Sequence, residues 1–321
     1  MSQIKYNFGW GNPYFLLDIL SNMYVGGSYP NVHSMIYGPY EGVPALIEET
    51  HKVIKQVTGM EYKYILITNG ASNAINTVLR YFASRGGRNV FTTKYGYPSY
   101  EEMIRRAGLV RTRDLNAMLP DLGFMGERDM RLIDSPENPF GAQYGGGDAN
   151  RDIWDSVYHS KIYTRNLMTI PKHKYHIGSY SKLLGVAGAR VGFIAVNEPL
   201  LYDALVAESR NDLTGPSRPS QCFVLDILKK VNLDDFMIQG AQDLCYNKEE
   251  FTKLEYLFDG QKVNETGMFY CVKPDSAALK LLEKVGVEYV RLDDDTIRLS
   301  MGQTKDVVKQ GIKAILKGDR K

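Results

Sequence analysis

HIGSYSKLLGVAGARVGF, residues 176–193, holds the side chain on which the reading of this chain turns. Lys182 stands just after Ser179 and Ser181, a run of glycine and alanine follows it, and Arg190 comes eight positions later. A phosphate loop of the form GxxxxGK[ST] needs a glycine before its lysine and a hydroxyl after it. Here Ser181 precedes and Leu183 follows. A dinucleotide turn needs GxGxxG directly after a first strand, and GVAGARVG has a different spacing. The third use is covalent: a lysine amine with a lowered pKa condenses with a cofactor aldehyde. Small neighbours leave room for a flat ring, and Ser179, Ser181 and Arg190 suit an anionic group attached to it. Against this stands the plainer reading, a solvated lysine in a strand–helix loop.

The rest of the chain narrows the setting. Its 321 residues suffice for one large domain and a smaller one. Hydrophobic content of 44% and charged content of 24% are ordinary for a globular enzyme. A formal charge of +2 gives no electrostatic case for nucleic acid. Cys222, Cys245 and Cys271 form neither CxxC nor a zinc spacing, so no metal is expected and the thiols suit a reducing compartment. The opening MSQIKYNFGWGNPY has no basic stretch followed by an apolar run. No apolar run approaches the ~20 residues of a membrane span. A cytoplasmic protein without membrane contact is expected.

Periodicity gives an α/β chain. Residues 46–59 have helical spacing and a glycine stop, 62–70 are β-rich, and 71–83 are helical. A strand at 89–93, a helix at 101–108 and a strand from 129 running into a turn follow, then strands within 152–160, 174–182 and 190–197. Such alternation predicts a largely parallel central sheet flanked by helices, with ligands at the carboxyl ends of its strands. Past residue 220 the pattern changes to helices at 221–231 and 243–258 and then a small α+β unit. The expected division is a large domain over 30–220 and a small one over 221–321, with 1–29 and a long connecting helix. The Gly-rich stretch 142–152 reads as a loop inside the large domain.

SYSKLLGVAGARVGF, with S-x-S-K, glycines and then R-x-G, resembles the lysine motif of the pyridoxal-phosphate-dependent aminotransferase class I/II family, the fold-type I, aspartate aminotransferase-like enzymes. Further blocks stand in the family's order over roughly 37–302. YGPYEGVPALIEE carries Tyr37 and Gly42; TNGASNAI carries Gly70, Ala71 and Ser72; YGYPSY carries Tyr97. DSPENPFG carries Asn138, WDSVYHSKIY carries Asp155 and Tyr158, and TIRLSMG carries Arg298. Asn12, in Gly11-Asn12-Pro13, resembles the N-terminal substrate segment.

The resemblance implies the roles. Lys182 would hold pyridoxal 5'-phosphate as a Schiff base and shuttle the substrate proton. Gly70, Ala71, Ser72, Ser179 and Arg190 would bind the phosphate, which suits the free N–H groups at a helix start. Tyr97 would stack on the ring. Asn138 and Tyr158 would reach its phenolic oxygen, and Asp155 its nitrogen; by its place at a strand end, Asp152 is an equal candidate for that role. Arg298, with Asn138 and Asn12, would hold the substrate. Tyr37 would reach the cofactor of a second subunit, which implies a homodimer with shared sites. The expected reaction moves an amino group from an amino acid to an α-keto acid. An amino-acid decarboxylase, a β-eliminating lyase or synthase, and a non-catalytic binding relative are the alternatives on the same fold. Only 16 residues separate Asn138 from Asp155, and EYVRLDDD stands where the family often carries a longer loop, so a more open substrate pocket is expected.

Overall fold

Ile65 and Ile67 face one hydrophobic core and Leu66 the other, so the strand that carries them is buried on both sides. Phe193 and Ala195 alternate in the same way with Ile194 and Val196 on a neighbouring strand. A period of two with apolar residues on both faces marks a sheet sandwiched between helices. The computed structural model describes residues 4–24, 35–113, 126–144, 151–169, 172–213 and 215–319.

The chain begins with β1 (Tyr6–Asn7), α1 (Tyr14–Met23), α2 (Pro44–Thr58), β2 (Tyr64–Thr68) and α3 (Ala71–Ser84). β3 (Asn89–Thr92), α4 (Tyr100–Arg106), β4 (Val110–Arg113), β5 (Asp129–Asp134) and β6 (Ile153–Asp155) follow. Next come β7 (Tyr175–Ser179), α5 (Tyr180–Leu183), β8 (Gly192–Val196), α6 (Pro199–Leu213), α7 (Arg218–Lys230) and α8 (Leu233–Thr252). The last elements are β9 (Phe269–Val272), α9 (Ser276–Val285), β10 (Val287–Glu288), β11 (Val290–Arg291), β12 (Ile297–Ser300) and α10 (Lys305–Asp319).

Seven strands form one sheet in the order β2-β8-β7-β6-β5-β3-β4. β8 runs antiparallel to both neighbours and every other pair is parallel. The fold is thus α/β with a mostly parallel central sheet. Its helices start and stop where local chemistry directs. Pro44 opens α2 at a position whose N–H has no helical partner, and Gly59 closes it in the left-handed conformation. A second layer holds a three-stranded antiparallel sheet, β11-β12-β9, and the parallel pair β1–β10, by which the first residues of the chain join the last hundred. Among the described residues no helix is long and apolar enough to cross a membrane.

Several elements differ from the sequence expectation. The stretch 174–182 is not a strand throughout: β7 ends at Ser179, whose Oγ accepts from the Ser181 N–H at 3.1 Å and caps α5. The strand in 152–160 is only three residues long. β4, α1 and α6 were not expected. β4 is a sheet edge whose sequence VRTR carries no buried face, and α6 has only a weak apolar stripe.

Candidate active site

Asp134, Asp155 and Ser179 end β5, β6 and β7, so three adjacent parallel strands deliver their carboxyl ends to one place. A cavity of about 380 Å³ opens there, a volume in the range of small-molecule sites. Eleven of the thirteen expected site residues line it: Asn12, Ala71, Ser72, Tyr97, Asn138, Asp155, Tyr158, Ser179, Lys182, Arg190 and Arg298. Gly70 lies behind the wall and Tyr37 lies outside it.

The lysine sits in α5, directly after the Ser179 cap. Its Nζ donates to the Gly11 carbonyl at 2.5 Å. Burial, and then the positive charges of Arg298 and Arg190, push its pKa down to about 8. That is the state an amine nucleophile or base needs near neutrality, and a solvated loop lysine would not show it. The low bulk around it also has a cause. A Cβ on Gly178 would fall 2.2 Å from the Phe193 ring on the partner strand, so that ring lies across the strand leading to the lysine.

At one end of the cavity α3 begins. Gly70 caps it at φ 82° with no side chain bonded to the first turn, so its N–H groups face outward. A Cβ on Gly70 would stand 2.7 Å from Arg190 Nη2, and this glycine is what allows the guanidinium to lie against the helix start. Arg190 itself adopts φ 56°, a left-handed conformation that costs a non-glycine residue about 1 kcal/mol. Free N–H groups, a helix dipole and a guanidinium together make an anion site.

Asp155 is 6% exposed. Its Oδ2 accepts from the Tyr100 hydroxyl at 2.7 Å and its Oδ1 from the Val157 N–H at 3.1 Å. Burial raises its pKa, while these two donors oppose the rise. Asp152, the other candidate, is fully buried in an ion pair with Arg131 at 3.0 Å and does not line the cavity. In the sequence only the motif register prefers Asp155; in the structure Asp152 is paired with Arg131 and Asp155 lines the cavity.

Arg298 reaches the cavity from β12 and is 7% exposed. It donates to Asn138 Oδ1 at 3.2 Å and to the Gly9 carbonyl at 3.0 Å, and its guanidinium lies 4.2 Å from the centroid of the Phe269 ring. Tyr158 is buried and packs edge-on against Phe269. Tyr97 meets Tyr100 edge-to-face at 5.7 Å. Asn12 bonds the Tyr14 hydroxyl at 3.2 Å. Tyr37 is 88% exposed, following exposed Met35 and Ile36.

Sequence reasoning missed several lining residues, four of them with polar or aromatic side chains. Tyr100, Asp134, Trp10 and Phe269 all line the cavity. Tyr100 follows Tyr97 by three residues at a helix start, and Asp134 ends its strand as Asp155 does; both signals were present in the sequence. Among the described residues no His/Cys/Asp/Glu group is arranged to hold a metal ion.

The chain is similar to known proteins in sequence and in fold. Nicotianamine aminotransferase A of Hordeum vulgare is 24% identical over 291 residues, covering 78% of this chain and 61% of the relative. Nicotianamine aminotransferase B of the same plant is 25% identical over 259 residues, covering 69% and 46%. The chain thus spans roughly half to three fifths of the length of these relatives. The crystal structure of the aromatic aminotransferase from Pyrococcus horikoshii OT3 superposes with a TM-score of 0.78 at 16% identity, covering 99% of this chain and 96% of that one, and so shares the fold. The pattern of aminotransferase class I and II matches residues 31–145 and 153–315, nearly the whole chain, and the chain belongs to that family.

Proposed function

We propose that this protein is a pyridoxal-phosphate-dependent aminotransferase that moves an amino group from an amino acid to an α-keto acid. The observation that carries the reading is Lys182: its amine is largely buried, pushed down to about 8, and shares one cavity with Asp155, Arg190 and Arg298.

The residues fit the cofactor on two observations. Gly70 lets the Arg190 guanidinium lie against the α3 start, where a Cβ would meet its Nη2 at 2.7 Å, and so brings a cation to the free N–H groups on the cavity wall. Two buried polar atoms on cavity residues, Asp134 Oδ1 and Arg298 Nε, have no partner among the described residues. In this reading Arg190 and the first N–H groups of α3 would hold the phosphate, Tyr97 would cover the ring, and Asn138 and Tyr158 would reach its phenolic oxygen. Asp155 faces its nitrogen. When bound, pyridoxal phosphate supplies an aldehyde that condenses with amines and a ring that draws electrons from the bonds at Cα. Arg298 holds the substrate carboxylate and so selects which Cα bond is presented for cleavage. Lys182 Nζ, partly neutral near pH 8, takes the Cα proton and returns it. Asp155 would supply the negative charge at the ring nitrogen.

The division into a large unit over 30–220 and a small one over 221–321 with 1–29 is part of the proposal. In its support, the seven-stranded sheet draws only on residues 64–196, and the smaller sheets on 6–7 and 269–300. A homodimer is proposed because Tyr37 matches the family residue that crosses to a second subunit; its exposure outside the cavity of its own chain supports this. The three free thiols support a reducing, cytoplasmic location.

The test is a screen of amino acids against the holoenzyme, each with and without an α-keto acid, with products identified by mass. Amino transfer that depends on the acceptor supports the reading. Carbon dioxide or an eliminated side chain released without any acceptor would replace it with a decarboxylase or a lyase.

A further inference from the structure

Asp134 and Asp155 are Cα partners across the parallel ladder of β5 and β6. Partnered positions on neighbouring strands present their side chains to the same face, and both line the cavity. They are 4% and 6% exposed. Neither forms an ion pair with a described lysine or arginine. Two carboxyl groups brought together in a dry site cannot both ionise freely; they titrate as a pair, in two steps.

Their surroundings divide the roles. Asp155 receives two donors, the Tyr100 hydroxyl and the Val157 N–H. Asp134 Oδ2 accepts from the Asn138 N–H at 3.0 Å, with no hydroxyl donor among the described residues such as Tyr100 provides to Asp155. Its Oδ1 is buried with no partner among the described residues. Around the pair stand Glu137, 6% exposed, and the hydroxyls of Tyr100, Tyr144 and Tyr158. Burial, and then the charges of Glu137 and Asp155, hold the Asp134 carboxyl well above the usual carboxylate range. Hydrogen bonds to the charged form select Asp155 as the anion.

We propose that Asp134 is a second carboxyl group of the ring-nitrogen site: it and Asp155 hold one proton between them, carried on Asp134, so that Asp155 faces the ring as the anion. This rests on the reading that the cavity binds pyridoxal phosphate. Asp134 acts through Asp155 and is a positioning residue. As pH rises and the shared proton leaves, the pair gains a second negative charge beside the ring. That extends to alkaline pH the range over which the site favours a protonated ring nitrogen.

The experiment uses the full chain with its aspartates labelled with carbon-13 at the side-chain carboxyl. Infrared spectra at neutral pH, without and with pyridoxal phosphate, report protonated carboxyl groups. The ligand-free wild type is expected to show a protonated aspartyl band that Asp134→Asn removes. A spectrum with no such band overturns the proposal, as does a band that Asp134→Asn retains. The pyridoxal phosphate dissociation constant is then followed from acid to alkaline pH. The wild type should show two steps, the upper changing the constant about tenfold; the isosteric variant should keep the lower step and lose the upper. An upper step that survives in Asp134→Asn also overturns the proposal. If the variant does not fold, the labelled wild-type spectrum alone decides. Failure of the protein to bind pyridoxal phosphate would remove the cofactor reading, whereas the ligand-free spectrum would still settle whether the pair shares a proton.

Discussion

Arg298 Nη1 donates to Asn138 Oδ1 across 3.2 Å, and this contact ties β12 to the turn after β5, 160 residues earlier in the chain. The same guanidinium donates to the Gly9 carbonyl and lies over the Phe269 ring. It is therefore held in place before any ligand arrives, with Nε free of partners among the described residues. Burial is the main influence on it and disfavours its charge, so an incoming carboxylate meets a guanidinium whose positive charge is poorly compensated.

Arg298→Lys keeps a positive charge and loses the planar fork. Charge-assisted hydrogen bonds contribute about 1.5–3 kcal/mol each, so kcat/KM for α-amino acids should fall about 10- to 100-fold. Primary amines without a carboxylate should react within about threefold of their wild-type rate, because they never used the fork. Steady-state kinetics with paired substrates checks this. Equal losses for both classes would mean that the side chain matters for packing alone.

Tyr100→Phe deletes the hydroxyl that supports the charged form of Asp155. Burial already raises the Asp155 pKa, and the Tyr100 hydrogen bond opposes that rise. Without the donor, Asp155 takes up its proton at higher pH. The account needs the anion, so activity should be lost earlier on acidification, and kcat/KM at neutral pH should fall about tenfold. The pH profile of kcat/KM gives the answer; an acid limb that stays in place would separate Tyr100 from Asp155 function.

Lys182 also sets a pH dependence of stability. Its folded pKa of about 8 lies below the 10.5 of an unfolded lysine. Between those values the unfolded chain holds a proton that the native state has released. Stability therefore rises with pH across this window and the cost of a buried charge is fully present below it. The gain is about 3 kcal/mol. Lys248, also near 8, adds to the same window, and buried tyrosines such as Tyr158 act in the opposite sense above pH 10. Comparing ligand-free wild type with Lys182→Met by denaturant titration cancels those shared contributions. The difference between the two proteins should grow in favour of wild type from pH 8 to 10.5.

Much of this site could be read along the chain because its signals are local. A lysine between serines and glycines, a glycine opening a helix, and N-P-x-G after a strand each declare themselves within a few residues. What stayed hidden depends on neighbours across the sheet. Asp152 and Asp155 look alike in sequence, and only Arg131, on the adjacent strand, takes the first away from the cavity. Tyr100 acquires its role from Asp155, 55 residues later. Asp134 acquires its place from strand register. Trp10 and Gly11 reach the cavity because the N-terminal segment crosses over it, a tertiary fact without a periodic signature. The α/β pattern was legible for the same reason as the motifs: strands such as YILIT and helices such as α3 bury apolar residues at their own periods. The edge strand β4 and helix α6 lack such stripes and could not be found that way.

The account stands or falls on the Lys182 amine. The measurement is borohydride reduction of the pyridoxal-phosphate-loaded protein, followed by proteolysis and peptide mass spectrometry. The pyridoxyl mass is predicted on the peptide carrying Lys182. Lys248, the other largely buried amine among the described residues with a pKa pushed down to about 8, is the internal control. Label on Lys248, or on any lysine other than Lys182, would contradict the account.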